Sequence, residues 1–270
     1  MIALGIEAEP KSSTLAMRLL GGWRLEDDGR EVPTTIAMRR LLASLALHGP
    51  RHRGSIATLM WPDSTARQAA GSLRELIWRT RQAHPQLLTV TRDSLALGGS
   101  VDVDVPALRA MVGTLRHRPV SSAKVFDLCT AGELLPGWSD PWIESEREQL
   151  RQIQLVGLEL LAGHRLADRC PDEALQIAMD AAAAEPLRES AQRIIVRAHL
   201  AMGNYHRAVA QFERYSDLLD DELGVRPSRE FAELLRQRAR EPQGPLPTVS
   251  RINRPAAAFP RQSLAIAVDF

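Results

Sequence analysis

Two cysteines in 270 residues, Cys129 and Cys170, are too few and too far apart for a disulfide framework, and neither has a neighbour at the CxxC spacing of a zinc site. Both are expected as reduced, buried thiols. Aromatic residues make up only 4% of the chain, which together with abundant Ala and Leu favours helix over sheet. No stretch approaches the ~18 to 20 consecutive apolar residues of a membrane span. The opening MIALGIEAEP carries acids where a secretion signal needs a basic and then an apolar run. The expectation is a cytoplasmic protein with no membrane contact. Enzyme signatures are equally scarce: there is no Walker glycine loop, no HExxH, no GxSxG, and the seven histidines are scattered. Asp217, Asp220, Asp221 and Glu222 lack the alternating spacing and central glycine of a calcium loop and read as a solvated helix end. No catalysis, cofactor or metal is expected.

Charge is abundant but unevenly placed. The net value of +1 conceals nine arginines against two acids over residues 34–92, and 18 basic against 20 acidic residues over 106–240. A local positive field joined to a neutral remainder is the footprint of a nucleic-acid module attached to something else. Its centre is DSTARQAAGSLRELIWRTRQA, Asp63 to Ala83. Wound as one helix about Leu73, this segment places Ala66, Ala69, Ala70, Leu76, Ile77 and Thr80 within about 60° of the buried direction. Arg67, Arg74 and Arg81 align seven residues apart along one exposed edge beside Trp78, and Gln68, Ser72 and Arg79 take the other. Arginine presents a planar fork of donors matching phosphate or the O6/N7 edge of guanine; glutamine pairs bidentately with adenine.

Around that helix the pattern is regular. Leu15, Met17 and Leu19 alternate, Trp23 and Leu25 follow, and Asp27-Asp28-Gly29 is a turn signal, together predicting a short antiparallel sheet. A helix over Thr35 to His48 stops at Gly49-Pro50, and a second over Ser55 to Met60 stops at Trp61-Pro62, with Asp63 or Ser64 available to cap the third. After His84-Pro85, Leu88, Val90, Leu95 and Leu97 alternate around Arg92-Asp93-Ser94, a hairpin with a cation at its tip. Sheet, three helices and hairpin make a winged helix-turn-helix.

Beyond residue 104 the grammar changes to an internal repeat. LADRCPDEAL at Leu166 to Leu175 is echoed 34 residues later by LAMGNYHRAV at Leu200 to Val209. That period belongs to tetratricopeptide (TPR) helix pairs, each burying its apolar face only by stacking on a neighbour. Trp138 and Trp142 are expected to pack on the first repeat helix. The tail from Glu241 carries five prolines and reads as disordered. The predicted architecture is mainly α with a small β component: a flexible leader over 1–14, a winged helix over 15–103, a TPR-like domain over 104–240 and a tail over 241–270.

DDGREVP at Asp27 to Pro33, LMWPD ending at Asp63, GSLRELIWRTR at Gly71 to Arg81, GELLPGWSDPWIESEREQLRQ at Gly132 to Gln152 and DDELGVRPSREFAELLRQ at Asp220 to Gln237 follow one another in an informative order. Over Leu15 to Arg240 the chain resembles the SARP (antibiotic-regulatory-protein) class of bacterial transcription factors. These join an OmpR-like winged helix to a bacterial transcriptional activation domain. It departs from them at Thr80, where leucine is usual, and at Ser72, where asparagine is frequent. The resemblance implies an activator that binds double-stranded promoter DNA, contacts RNA polymerase or a second protomer on a direct-repeat site, and does so through a homo-oligomer where sites repeat. Candidate groove-facing residues are Arg67, Gln68, Ser72, Arg74 and Glu75, the last accepting from a cytosine amino group or holding Arg74 or Arg79. Trp78, Arg79 and Arg81 are placed at the edges and phosphates, and Arg92 on the wing. Arg39, Arg40, Arg51 and Arg53 face phosphate or solvent. The rival reading is a helical-repeat adaptor whose winged helix serves protein contacts.

Overall fold

The computed structural model describes residues 15–117 and 122–240; the expected leader and tail lie outside the described residues. Three strands come first: β1 (Leu15–Arg18), β2 (Arg24–Asp27) and β3 (Arg30–Glu31). The chain continues through α1 (Ile36–His48), β4 (Arg51–His52), α2 (Arg53–Met60) and α3 (Ala66–Ala83), then a single 3-10 turn, β5 (Leu88–Val90), β6 (Ser94–Leu97) and β7 (Val101–Val103). The helical half comprises α4 (Asp104–Leu115), α5 (Ser122–Thr130), α6 (Pro141–Ala167), α7 (Pro171–Ala184), α8 (Glu189–Ala201), α9 (Tyr205–Leu223) and α10 (Arg229–Arg240). This is a winged helix followed by stacked TPR-like helix pairs. Among the described residues no helix is long and apolar enough to cross a membrane.

Alternation explains the first sheet. Leu15, Met17 and Leu25 turn inward while Ala16, Arg18, Arg24 and Glu26 are left partly or fully exposed. Asp28 and Gly29, at φ 48° and 79°, form the turn joining β2 to β3. The sheet is completed from elsewhere, because β7 adds in parallel to β1 with Leu15 opposite Val101, giving the order β3-β2-β1-β7. The expected terminal hairpin is likewise a three-stranded sheet, β4-β6-β5, with Arg51 opposite Leu95. Neither addition has a visible period: two or three residues are too few to alternate.

Asp104 fastens the sheet to the helices. Its Oδ2 accepts the backbone N–H groups of Leu19 (2.8 Å) and Leu20 (2.9 Å), and its Oδ1 accepts that of Val105 (2.8 Å). The following residues bind the helical half directly, since Gly21 N–H donates to the Glu133 carbonyl and Leu135 N–H to that of Leu19. One apolar core accordingly runs from Leu15 and Leu41 through Leu108 and Ile143 to Leu161. Inside it, Gly157 is required by its neighbours: a Cβ there would lie 2.5 Å from Cys129 Sγ and 3.0 Å from Val112. Further along, Phe231 is fully buried edge-on to Phe212, and the Tyr215 hydroxyl, pushed up to about 12 by burial, donates to the Leu187 carbonyl.

The 34-residue repeat is reproduced bond for bond at its turns. The N–H of Asp168, Arg169 and Cys170 donates to the carbonyls of His164, Leu166 and Arg165; 34 residues on, Met202, Gly203 and Asn204 donate to Ala198, Leu200 and His199. The left-handed residue of the second turn is Gly203 (φ 76°), whereas the first uses Arg169 at φ 62°. A side chain in that region is disfavoured by about 1 kcal/mol. Arg169 is exposed, so Arg169→Gly is expected to raise stability by up to about 1 kcal/mol in denaturant unfolding, and Gly203→Ala to lower it by a similar amount. Asp104→Asn replaces one acceptor oxygen with a donor facing backbone N–H groups. It is expected to lower stability by about 1–3 kcal/mol in the same measurement.

Candidate nucleic-acid interface

α3 is the most cationic helix of the winged half. It starts at Thr65, not at the expected Asp63 or Ser64: the Thr65 hydroxyl accepts from Gln68 N–H while Gln68 Oε1 accepts the Thr65 N–H at 3.1 Å, a reciprocal capping box. Ala69, Leu73, Leu76, Ile77 and Thr80 are buried, and the Thr80 hydroxyl is satisfied by the Leu76 carbonyl at 2.8 Å. A threonine is therefore accommodated where a leucine was anticipated. Ala66 and Ala70, assigned to the buried stripe from their angles, are exposed. Ala66 is the first helical residue, at the end of the packed stretch, and Ala70 sits at the margin of the stripe, about 60° from its centre.

Every candidate side chain on α3 is exposed: Arg67, Gln68, Ser72, Arg74, Glu75, Trp78, Arg79 and Arg81, with Trp78 63% accessible. Their commitments differ. Arg67, Arg74 and Arg81 enter no ion pair among the described residues, and Arg74 only donates to the Ala70 carbonyl in its own helix. Glu75 and Arg79 form an i,i+4 pair at 2.5 Å, so of the two arginines considered for Glu75 it holds Arg79. Gln68 has its carbonyl oxygen engaged in the cap, leaving its amide N–H groups for any partner.

The wing is stiffened at its tip. Thr91 N–H donates to the Ser94 carbonyl and Ser94 N–H to the Thr91 hydroxyl, leaving Arg92 exposed on the turn without an ion pair. Arg53 N–H donates to the Asp93 carbonyl, tying that turn to the start of α2. Arg51 lies in β4 and Arg53 opens α2, in the stretch between the two helices expected over Thr35 to His48 and Ser55 to Met60. Arg51 is exposed, whereas Arg53 is half-buried with its Nε unpartnered.

Several other arginines are engaged within the fold. Arg40 Nε donates to Asp140 Oδ1 at 2.9 Å across the junction with the helical half, which removes it from the phosphate candidates, and Arg39 donates to the Thr34 hydroxyl. Arg109 bridges the Leu47 carbonyl and Glu146, and Arg188 binds Glu159 at 2.6 Å. At the same junction His48 lies 3.5 Å from Glu146 and edge-on to Trp142, and burial depresses its imidazole below the ordinary value against the pull of Glu146. Trp138 stacks on Trp23 at 6.1 Å. The two tryptophans expected against the first repeat helix thus pack on the winged half, and the sequence offers no signal that could distinguish these partners. On α3 and the wing, Arg67, Arg74, Arg81 and Arg92 carry positive charge that no carboxylate among the described residues offsets.

Residues 130–237 match the family model of the bacterial transcriptional activator domain. Over 242 residues the chain is 28% identical to the regulatory protein AfsR of Streptomyces coelicolor, covering 84% of this chain and 24% of that one. It is 27% identical over 210 residues to the regulatory protein AfsR of Streptomyces griseus, covering 73% and 21%. The chain therefore spans less than a quarter of the length of these relatives. Among solved structures, Mycobacterium tuberculosis EmbR, determined in complex with a low-affinity phosphopeptide, superposes with a TM-score of 0.66 at 18% identity over 87% of this chain and 67% of that one. A winged helix in front of a segment that matches the bacterial transcriptional activator domain is the arrangement of the SARP class, which this chain resembles.

Proposed function

We propose that the protein is a sequence-specific DNA-binding transcriptional regulator acting in the cytoplasm as an activator. In this reading residues 15–103 dock α3 in the major groove of promoter DNA with Arg92 on the adjacent backbone or minor groove. Residues 104–240 contact RNA polymerase or a second protomer on a direct-repeat site. The observation that carries the proposal is the exposed, unpaired row of Arg67, Arg74 and Arg81 along the flank of a helix whose Ala69, Leu73, Leu76, Ile77 and Thr80 are buried. Elsewhere in the fold many arginines are neutralised by carboxylates; a row of cations left unpaired suits an anionic partner that arrives from outside.

A gel shift on the DNA upstream of the protein's own gene tests this, with Arg67, Arg74 and Arg81 changed together to alanine. Each phosphate contact contributes about 0.9 to the slope of log affinity against log salt, so the triple variant is expected to lose about 2–3 from that slope and to bind at least tenfold more weakly. Arg92→Ala is expected to weaken binding without changing which sequence is preferred. Unchanged affinity in the triple variant, or no binding by the unaltered protein at low salt, overturns DNA reading and leaves the adaptor role.

A further inference from the structure

About the axis of α3, side chains fall into three directions. Taking Leu73 as the inward direction, Arg67, Arg74 and Arg81 stand about 80–120° to one side, and Ser72 and Arg79 about 100–120° to the other. Between them lies a ridge within about 40° of directly outward: Gln68, Gly71, Glu75, Trp78 and Gln82. A helix lying lengthwise in the major groove turns its outward ridge to the base edges and its flanks to the two phosphate walls. The arginines therefore stand where phosphates are, and the ridge where sequence is read.

Gly71 sits in this ridge one turn before Glu75. Glycine inside a helix costs about 1 kcal/mol relative to alanine, and nothing in the fold asks for it. A Cβ on Gly71 would meet no atom within 4 Å, whereas one on Gly157 would collide with Cys129. Gly113 and Gly163 also face open space, so an uncrowded helical glycine does not mark a contact by itself. Gly71 differs from them in its setting, on the outward line of the cationic helix, with Arg67 and Arg74 on one flank and Ser72 on the other. The same ridge carries Glu75, 60% exposed and the sole acid of α3, and Trp78, an indole left 63% exposed. A carboxylate facing a phosphate-lined groove is repelled unless it accepts from a base amino group, and an exposed indole gains by covering an apolar one.

We infer that Gly71 is the point at which α3 seats against the groove floor, and that this close approach brings Glu75 onto a cytosine amino group and Trp78 onto a thymine methyl one turn further along. Base discrimination then resides in the ridge and affinity in the arginine flanks. The inference rests on the DNA-reading proposal above and names the chemistry of that same face.

The decisive variant is Gly71→Ala, measured for stability and binding together. Its melting temperature is expected to rise by about 2–4 °C, from the gain in helix propensity, while its affinity for the preferred site falls at least tenfold. A purely structural glycine cannot give that opposition of sign. Selection from a randomised duplex library with Glu75→Gln is expected to lose preference for cytosine at one position, about 5–100-fold. This loss persists in an Arg79→Ala background, which separates base reading from the mere holding of Arg79. Trp78→Ala is expected to relax a neighbouring thymine preference. Gly71→Ala protein that binds as tightly as the unaltered chain, or Glu75→Gln protein with every base preference intact, overturns the inference while leaving DNA binding itself standing. Failure of the unaltered protein to select any sequence removes both.

Discussion

The carboxylate of Asp104 holds the two halves of this molecule in one register. It is buried, it lies at the boundary between β7 and α4, and its oxygens collect three backbone N–H groups that would otherwise be orphaned. Burial pushes its carboxyl above the ordinary range and the three hydrogen bonds pull it back. Because the folded chain holds the proton more tightly than the unfolded one, the group favours folding at acid pH and loses that contribution as pH rises through its folded value. The three amides offset the charge that remains. Through this group β7 closes onto β1, the backbone after β1 is aimed at Glu133 and Leu135, and the apolar core continues from sheet to α6 without a break.

Continuity of that core shapes the electrostatics. Packing α1 and α4 against the start of α6 brings Arg40 to Asp140, and His48 and Arg109 to Glu146, so the acids there consume the cations nearest to them. α3 and the wing lie outside this exchange. Apart from Arg79, which pairs with Glu75 on its own helix, their arginines stay unpaired because no carboxylate of the helical half is paired with them, a consequence of topology as much as of composition. The charge imbalance over residues 34–92 marks a cationic stretch of sequence, and the structure separates its arginines that hold the junction from those that face outward.

What was legible in the sequence was whatever repeats. The 3.6-residue period of α3 fixed its buried and exposed faces, and the 34-residue offset anticipated turns whose hydrogen bonds recur at that spacing. Elements too short to have a period were not legible. β4 and β7 contain two and three residues, and each exists because a partner strand is already present. Long-range contact was also hidden. Trp138 and Trp142 gave no hint that they pack on Trp23 and His48, since a tryptophan's burial can be guessed from composition but its partner cannot. On α3, angle alone misplaced Ala66 and Ala70, because burial ends where the core ends and not where the stripe ends.

A shared core also constrains what the helical half can do for the winged half. Two domains on a flexible linker let a bound partner sample a volume around the DNA, and the local concentration of that partner falls as the linker lengthens. Here the connection is a parallel strand, a buried carboxylate and a continuous apolar cluster, together with ion pairs across α1 and α6. The direction of α3 and the direction of the TPR-like stack are therefore one geometrical quantity. A partner held by the stack, as proposed, would be delivered at a set angle to the helix, and the seating depth inferred for α3 would then matter twice over. On the proposed DNA-reading role, it would decide which base edges Glu75 and Trp78 meet and where along the duplex the stack is presented.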